Sequence, residues 1–78
     1  MNDRIYAIVA KVLKVRVSAI DENSSPDTID KWDSLQHLQL ILALEEEFGV
    51  QFSVDEITAM QTVGNISVIL REHAGSNG

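Results

Sequence analysis

The segment from Asp33 to Gly49 constrains the fold most, because it specifies one long helix that is apolar on more than one side. Asp33 is predicted to act as the N-cap, with Gln36 three residues later in a variant of the capping box. Gly49 is predicted to end the helix, since glycine favours the left-handed conformation found at helix C-termini. The apolar positions of this helix are Leu35, Leu38, Leu40, Ile41, Leu42, Ala43, Leu44 and Phe48. A helix this apolar must be packed on several sides, so it is predicted to lie at the centre of the fold.

Three further helices are predicted around this central one. Apolar residues recur at helical spacing from about Asp3 to Lys14, which indicates an amphipathic first helix. A full S-x-x-E capping box at Ser53 begins a short helix that runs through about Met60. Thr62 is predicted to cap a last helix, whose inner face carries Val63, Ile66, Ile69 and Leu70. The pattern contains no strand, so the predicted fold class is all-α: a small four-helix bundle with three longer helices and one short one.

A single domain accounts for nearly the whole chain. With 78 residues and no cysteine, it must be held together by packing, without a disulfide or a thiolate zinc site. We assign residues 1–73 to this domain and residues 74–78 to a flexible C-terminal tail.

A long loop, rich in turn-forming residues, is predicted between the first two helices, over residues 16–31. It does not fit a calcium loop, because Pro26 and Trp32 stand where glycine and a bidentate glutamate are required. No metal site is predicted there or elsewhere. Apolar residues in and beside the loop are expected to pin it to the helices: Val17, Ile20, Ile29 and Trp32.

The net charge of −6 is unevenly distributed along the chain. Residues 1–32 are balanced, whereas residues 33–78 contain seven acids and one base, Arg71. Such a surface repels phosphate backbones and anionic lipids, so we expect neither nucleic acid nor a membrane as partner. It would attract a basic protein surface, although acids can also serve only to keep a small protein soluble.

We expect a cytoplasmic monomer that does not insert into membranes. The longest apolar run, from Leu40 to Leu44, is far too short to span a bilayer. The first residues lack the basic-then-apolar layout of a signal peptide.

The residues required for catalysis are poorly represented, so the chain is predicted not to be an enzyme. His37 and His73 are far apart in the sequence, and no cysteine can act as a nucleophile. A Ser-His-Asp arrangement would need Ser34, His37 and Asp33, but this helix start supplies neither an oxyanion hole nor a substrate cleft.

Ser34 occupies a distinctive place, at the first position of the most apolar helix and after a long loop. A phosphate attached there would meet free backbone N–H groups and the positive end of the helix dipole. Asp-Ser at a helix start is also common capping chemistry that needs no function. Spacing alone does not decide between these two interpretations.

The residues from Asp33 onward resemble the acyl carrier protein family. Asp-Ser-Leu on its own is a weak signal, but here it stands at the right distance from later motifs, and the combination is strong. The resemblance covers about residues 1–73 and is dense from 33 to 70. The matching stretches are Asp33-Ser34-Leu35, Leu42-Ala43-Leu44-Glu45-Glu46-Glu47-Phe48-Gly49-Val50, Phe52, the capped helix at 53–60, and Thr62-Val63-Gly64-Asn65-Ile66.

The resemblance implies that Ser34 carries 4′-phosphopantetheine as a phosphodiester, with Asp33 recognised by the phosphopantetheinyl transferase that installs it. The cofactor thiol would hold an acyl group as a thioester and deliver it between acyl-loading and acyl-using enzymes with basic surfaces. This agrees with a chain that has no thiol of its own. The residues assigned to partner binding are Leu35, Gln36, Glu45, Glu46, Glu47, Asp55 and Glu56. Those assigned to an acyl-chain lining, which would otherwise be ordinary core, are Leu38, Leu42, Leu44, Phe48, Ile57, Met60, Val63 and Ile66.

Several positions depart from the pattern of the fatty-acid-synthesis carriers, which usually have acids where this chain has Gln36 and Gln39. Trp32 stands where a small residue is common, and His37 adds a titratable group. These differences favour a carrier dedicated to one biosynthetic pathway, such as polyketide, polysaccharide or amino-acid-modifying chemistry. Two alternatives stay open at this point: a peptidyl or aminoacyl carrier, and an unmodified acidic helical interaction module in which Ser34 is only part of a cap. A small hydrolase would require His37 to be essential.

Overall fold

A computed structural model describes the backbone of residues 2–77 and the side chains of residues 3–73. The described residues form four α-helices and one short 3₁₀ turn, without a strand. The elements are α1 (Asn2–Leu13), the 3₁₀ turn (Val17–Ala19), α2 (Ser34–Phe48), α3 (Val54–Ala59) and α4 (Val63–Asn77). This confirms the predicted all-α bundle of three longer helices and one short one. None of the described helices has both the length and the apolar character needed to cross a membrane.

The last helix continues beyond the predicted domain boundary at residue 73, because α4 extends to Asn77. The side chains of residues 74–77 and all of Gly78 lie outside the described residues. The flexible tail therefore stays a prediction.

Both ends of α2 form as the sequence predicts. The Asp33 carboxylate accepts a hydrogen bond from the backbone N–H of Gln36 at 2.9 Å. At the other end Gly49 adopts the left-handed conformation, with φ 64°, and its N–H donates to the carbonyl of Glu45. A residue with a Cβ would be strained at that φ, which explains the glycine. Within the described contacts, Gln36 makes no return bond to Asp33, so the carboxylate alone forms this cap.

The core lies between α1, one face of α2, and α4. Trp32 and Ile20 are buried in it and anchor the long loop, as predicted, and Ile29 packs partly against it. Val17 does not, because it begins the 3₁₀ turn, whose residues all face solvent. The buried apolar residues are Ile5, Val9, Ala10, Leu13, Ile20, Trp32, Leu40, Ile41, Leu44, Phe52, Met60, Val63, Ile66, Ile69 and Leu70.

The long loop also caps the start of α4. The N–H groups of Val63 and Gly64, which have no partner inside their own helix, donate to the carbonyls of Ser24 and Glu22 at 3.1 and 2.9 Å. A Cβ on Gly64 would lie 3.1 Å from the Glu22 carbonyl oxygen, so this position favours glycine for its close approach. Thr62 completes the cap, as predicted, by accepting from the Asn65 N–H at 3.1 Å.

Candidate functional site

Ser34 is the first residue of α2, and its side chain is exposed. Its hydroxyl makes no hydrogen bond among the described residues. The first N–H groups of the helix, on Ser34 and Leu35, also have no described protein partner, whereas the N–H of Gln36 is used by the Asp33 cap. A phosphate on the Ser34 oxygen would therefore meet two free N–H donors at the positive end of the helix.

A cavity of about 640 Å³ lies directly beside Ser34 and is open to solvent. Its walls come from the end of the long loop, the first turn of α2, and α3. Lining residues include Trp32, Ser34, His37, Leu38, Ile57 and Met60. The exposed hydroxyl, the free N–H groups and this mainly apolar cavity together fit a phosphodiester with an extended arm attached at Ser34.

His37 connects three elements of the wall of this cavity. The indole N–H of Trp32 donates to Nδ1 of His37 at 3.0 Å, and Nε2 of His37 lies 3.2 Å from the carbonyl oxygen of Ile57. An indole N–H can only donate and a carbonyl can only accept, so this geometry requires neutral His37 with its proton on Nε2. Both ring nitrogens are thus occupied by structural bonds, and neither is left to act as a base for Ser34.

The acids predicted to bind partners are largely used within the fold. A carboxylate oxygen of Glu45 accepts from the N–H of Phe52 at 2.9 Å. Glu47 forms an ion pair with Arg4 at 2.7 Å. Glu46 and Asp55 are exposed and make no hydrogen bond or ion pair within the described part of the chain. Leu35 is also exposed, while Gln36 is half-buried. The local sequence could not reveal the Glu47 contact, because Arg4 lies 43 residues away.

The residues assigned to an acyl-chain lining fall into three groups. Leu44, Met60, Val63 and Ile66 are fully buried in the core, Phe48 and Ile57 are half-buried, and Leu38 and Leu42 are exposed at 55% and 63%. The structure brings three of the eight to the cavity beside Ser34, namely Leu38, Ile57 and Met60. Trp32 and His37 were not predicted to line this cavity, although their placement on either side of the helix start was the available signal.

The start of α3 forms the predicted capping box and also carries a perturbed carboxyl group. Ser53 accepts from the N–H of Glu56 at 3.1 Å, and Glu56 accepts in return from the Ser53 N–H at 2.9 Å. Glu56 also lies 2.8 Å from Nε2 of His73. The hydrogen bond from the Ser53 backbone holds the pKa of Glu56 below its ordinary value. Burial opposes this shift, and the contact with His73 adds to it.

We expect the start of α3 to weaken as the pH falls through the acid range. A carboxyl group whose pKa is lower in the folded chain adds stability that is fully present above its unfolded pKa and is lost as the pH falls through the folded value. Amide NMR shifts of Ser53 and Glu56, followed from about pH 7 to about pH 3, would report this loss. The variant Glu56→Gln keeps an acceptor without the titrating proton, so a pH response equal to that of the wild type would contradict the prediction.

Comparison with known proteins identifies the family of this chain. The family described as "Phosphopantetheine attachment site" matches residues 3–68. The acyl carrier protein of Chlamydia caviae is 31% identical over 75 residues, which cover 96% of this chain and 97% of that protein. The acyl carrier protein of Chlamydia felis is likewise 31% identical over 75 residues, covering 96% of each chain.

These matches define the class first: a carrier that bears covalently attached 4′-phosphopantetheine, and not an enzyme. Within that class, the chain belongs to the acyl carrier protein family. Proteins of this family interact with a phosphopantetheinyl transferase and with acyl-handling enzymes.

Proposed function

We propose that Ser34 carries the phosphopantetheine and that the protein delivers acyl groups within one dedicated biosynthetic pathway. The observation that carries this proposal is the exposed, unbonded hydroxyl of Ser34 at the start of α2, beside an open cavity. When bound, the cofactor supplies the thiol that holds an acyl group as a thioester.

The chain's own residues support this role in distinct ways. Asp33 uses its carboxylate to accept from Gln36, which leaves the N–H groups of Ser34 and Leu35 to meet the phosphate. The side chains of Leu38 and Ile57 offer apolar surface in the cavity beside the attachment point. Asp33 is exposed and adjacent, so it is the residue we propose for recognition by the transferase.

Intact mass after incubation with coenzyme A, magnesium and a broad-specificity phosphopantetheinyl transferase tests the proposal. We expect the wild type to gain the mass of one phosphopantetheine and Ser34→Ala to gain none. Ser34→Ala should keep its free energy of unfolding within about 1 kcal/mol, because Asp33 is the cap and alanine favours helix. Ser18→Ala, which removes another exposed hydroxyl, is the matched control and should be modified like the wild type.

Two results of that experiment would overturn the assignment. A mass gain on Ser34→Ala would place the cofactor on another residue. Failure of the wild type with several transferases would favour an unmodified interaction module. A peptidyl or aminoacyl carrier would give the same result in this test. It is distinguished from an acyl carrier by the cargo that its cognate enzyme loads.

The enzymes that act on this carrier are proposed to present basic surfaces to the acidic end of α2. Glu46 is exposed there and has no partner among the side chains that the structure describes, whereas the charge of Glu47 is already offset by Arg4. Glu46→Gln should therefore slow association with the transferase by about two- to fivefold, and Glu47→Gln by less. Stopped-flow association at low and high salt measures this, and salt-independent rates would contradict it. The monomeric state, the cytoplasmic location and the exclusion of nucleic acid and membrane stay predictions.

A further inference from the structure

Three hydrogen-bonded groups join the walls of the cavity beside Ser34. We name these three groups the Trp32–His37–Ile57 bridge. The bridge consists of the Trp32 indole N–H, the His37 ring and the Ile57 carbonyl, at 3.0 and 3.2 Å. It links the end of the long loop to α2, and α2 to α3. The two rings lie roughly edge to edge along this bond, with their centroids 6.0 Å apart and an angle of 27° between their planes.

The cavity lined by the bridge residues borders the hydrophobic interior. Met60 belongs to both, because it lines the cavity and is also a fully buried core residue. Leu44 and Val63 are equally buried in the same core. An alkyl chain attached through Ser34 gains free energy by leaving water. The cavity beside Ser34 extends to the buried Met60 and so offers the alkyl chain apolar surface.

We expect entry of such a chain to part the walls that the bridge joins, and so to break its two hydrogen bonds. Trp32 is only 2% exposed, so water could not replace His37 as the acceptor of its indole N–H. An alkyl chain has no acceptor or donor with which to replace either bond, and each buried polar group left unpaired opposes entry. A short chain has too few methylenes to offset that loss, whereas a longer one gains more with each methylene that it buries.

We propose that the Trp32–His37–Ile57 bridge sets the length of acyl chain that this carrier shelters, so that short acyl groups stay in the outer cavity. This inference depends on the proposed attachment of the cofactor to Ser34. Trp32 and His37 are accordingly specificity-determining residues, which act on the position of the cargo and take no part in loading it.

Acyl chains of different length, loaded directly from acyl-coenzyme A by the transferase, test the proposal. Acetyl, butanoyl and octanoyl forms of each protein are treated with hydroxylamine, which attacks the thioester carbonyl and releases the thiol. Cleavage rates are divided by those of the same acyl-pantetheines free in solution, so that only protection by the protein is compared. Intact mass confirms loading before each measurement.

Two bridge variants and one rescue variant are compared with the wild type. His37→Leu removes both bonds, and Trp32→Phe keeps an aromatic ring but removes the N–H donor. We expect both to protect the octanoyl thioester at least about tenfold more than the wild type does, and the acetyl thioester equally. His37→Gln can still accept from Trp32 and donate to Ile57, so it should behave like the wild type.

Each result has one meaning. Equal octanoyl protection in the wild type and both bridge variants would overturn the proposal, as would protection in His37→Gln that matches His37→Leu. Two variants are used so that a folding defect in one, seen in its far-UV spectrum, leaves the other to decide. Absence of any mass gain on the wild type would instead overturn the proposed function itself, and with it this inference.

Discussion

Replacing Trp32 by alanine is expected to lower the free energy of unfolding by about 3 to 5 kcal/mol. Trp32 is the largest of the fully buried side chains and holds the end of the long loop against the core. Its removal leaves a cavity and deprives Nδ1 of His37 of its donor. A domain of this size has little stability to spare, so we expect a large unfolded fraction without denaturant.

Urea denaturation followed by far-UV circular dichroism measures this loss, because the alanine variant has no tryptophan left for fluorescence. Trp32→Phe is the control, since it retains most of the buried ring and loses the hydrogen bond. Its expected cost is about 1 to 3 kcal/mol, the cost of an unpaired buried acceptor. A change below about 1 kcal/mol in Trp32→Ala would show that this side chain is not packed as described.

Replacing Leu44 by alanine is expected to cost about 2 to 5 kcal/mol of unfolding free energy. The side chain of Leu44 is fully buried on the face of α2 that packs against the rest of the bundle. Leu42, two residues earlier in the same helix, is 63% exposed. The same substitution there removes the same atoms from a solvent-facing surface and should change stability by at most about 0.5 kcal/mol.

The pair Leu44→Ala and Leu42→Ala controls for helix propensity, since both replace leucine by alanine in the middle of α2. Chemical denaturation of the two variants measures both changes in the free energy of unfolding. The comparison requires that the slope of this free energy against denaturant concentration be the same in both variants. Similar costs at the two positions would refute the assignment of these two faces of α2. A loss of partner binding in Leu42→Ala without a loss of stability would mark its face as a contact surface.

The helix ends were predictable because their chemistry is local. Asp33 and Gly49 define α2 through bonds to residues at most four positions away, and Ser53 with Glu56 does the same for α3. The place of Ser34 followed from these ends, since the first helical position is set once the cap is known, whereas its proposed role as the attachment residue came from the family resemblance. Local sequence therefore determined where Ser34 lies.

The surroundings of Ser34 were not predictable in the same way. His37 is bound by the carbonyl of Ile57, 20 residues later, and Glu56 by His73, 17 residues later. The sequence also could not show which leucines of α2 are buried. Its eight apolar positions are spread too widely around the helix to define one buried face. Only packing separates the buried Leu44 from the exposed Leu38, although both were predicted to line an acyl chain.

The hydrogen bonds that the carbonyls of Ser24 and Glu22 accept from the start of α4 restrict how the long loop can move. They fix the middle of the long loop, and Trp32 fixes its end, so the segment that leads to Ser34 is held along its length. Ser34 thus stands on a rigid base rather than on a swinging loop. With the arm attached at Ser34 as proposed, travel between active sites would be left to the arm itself.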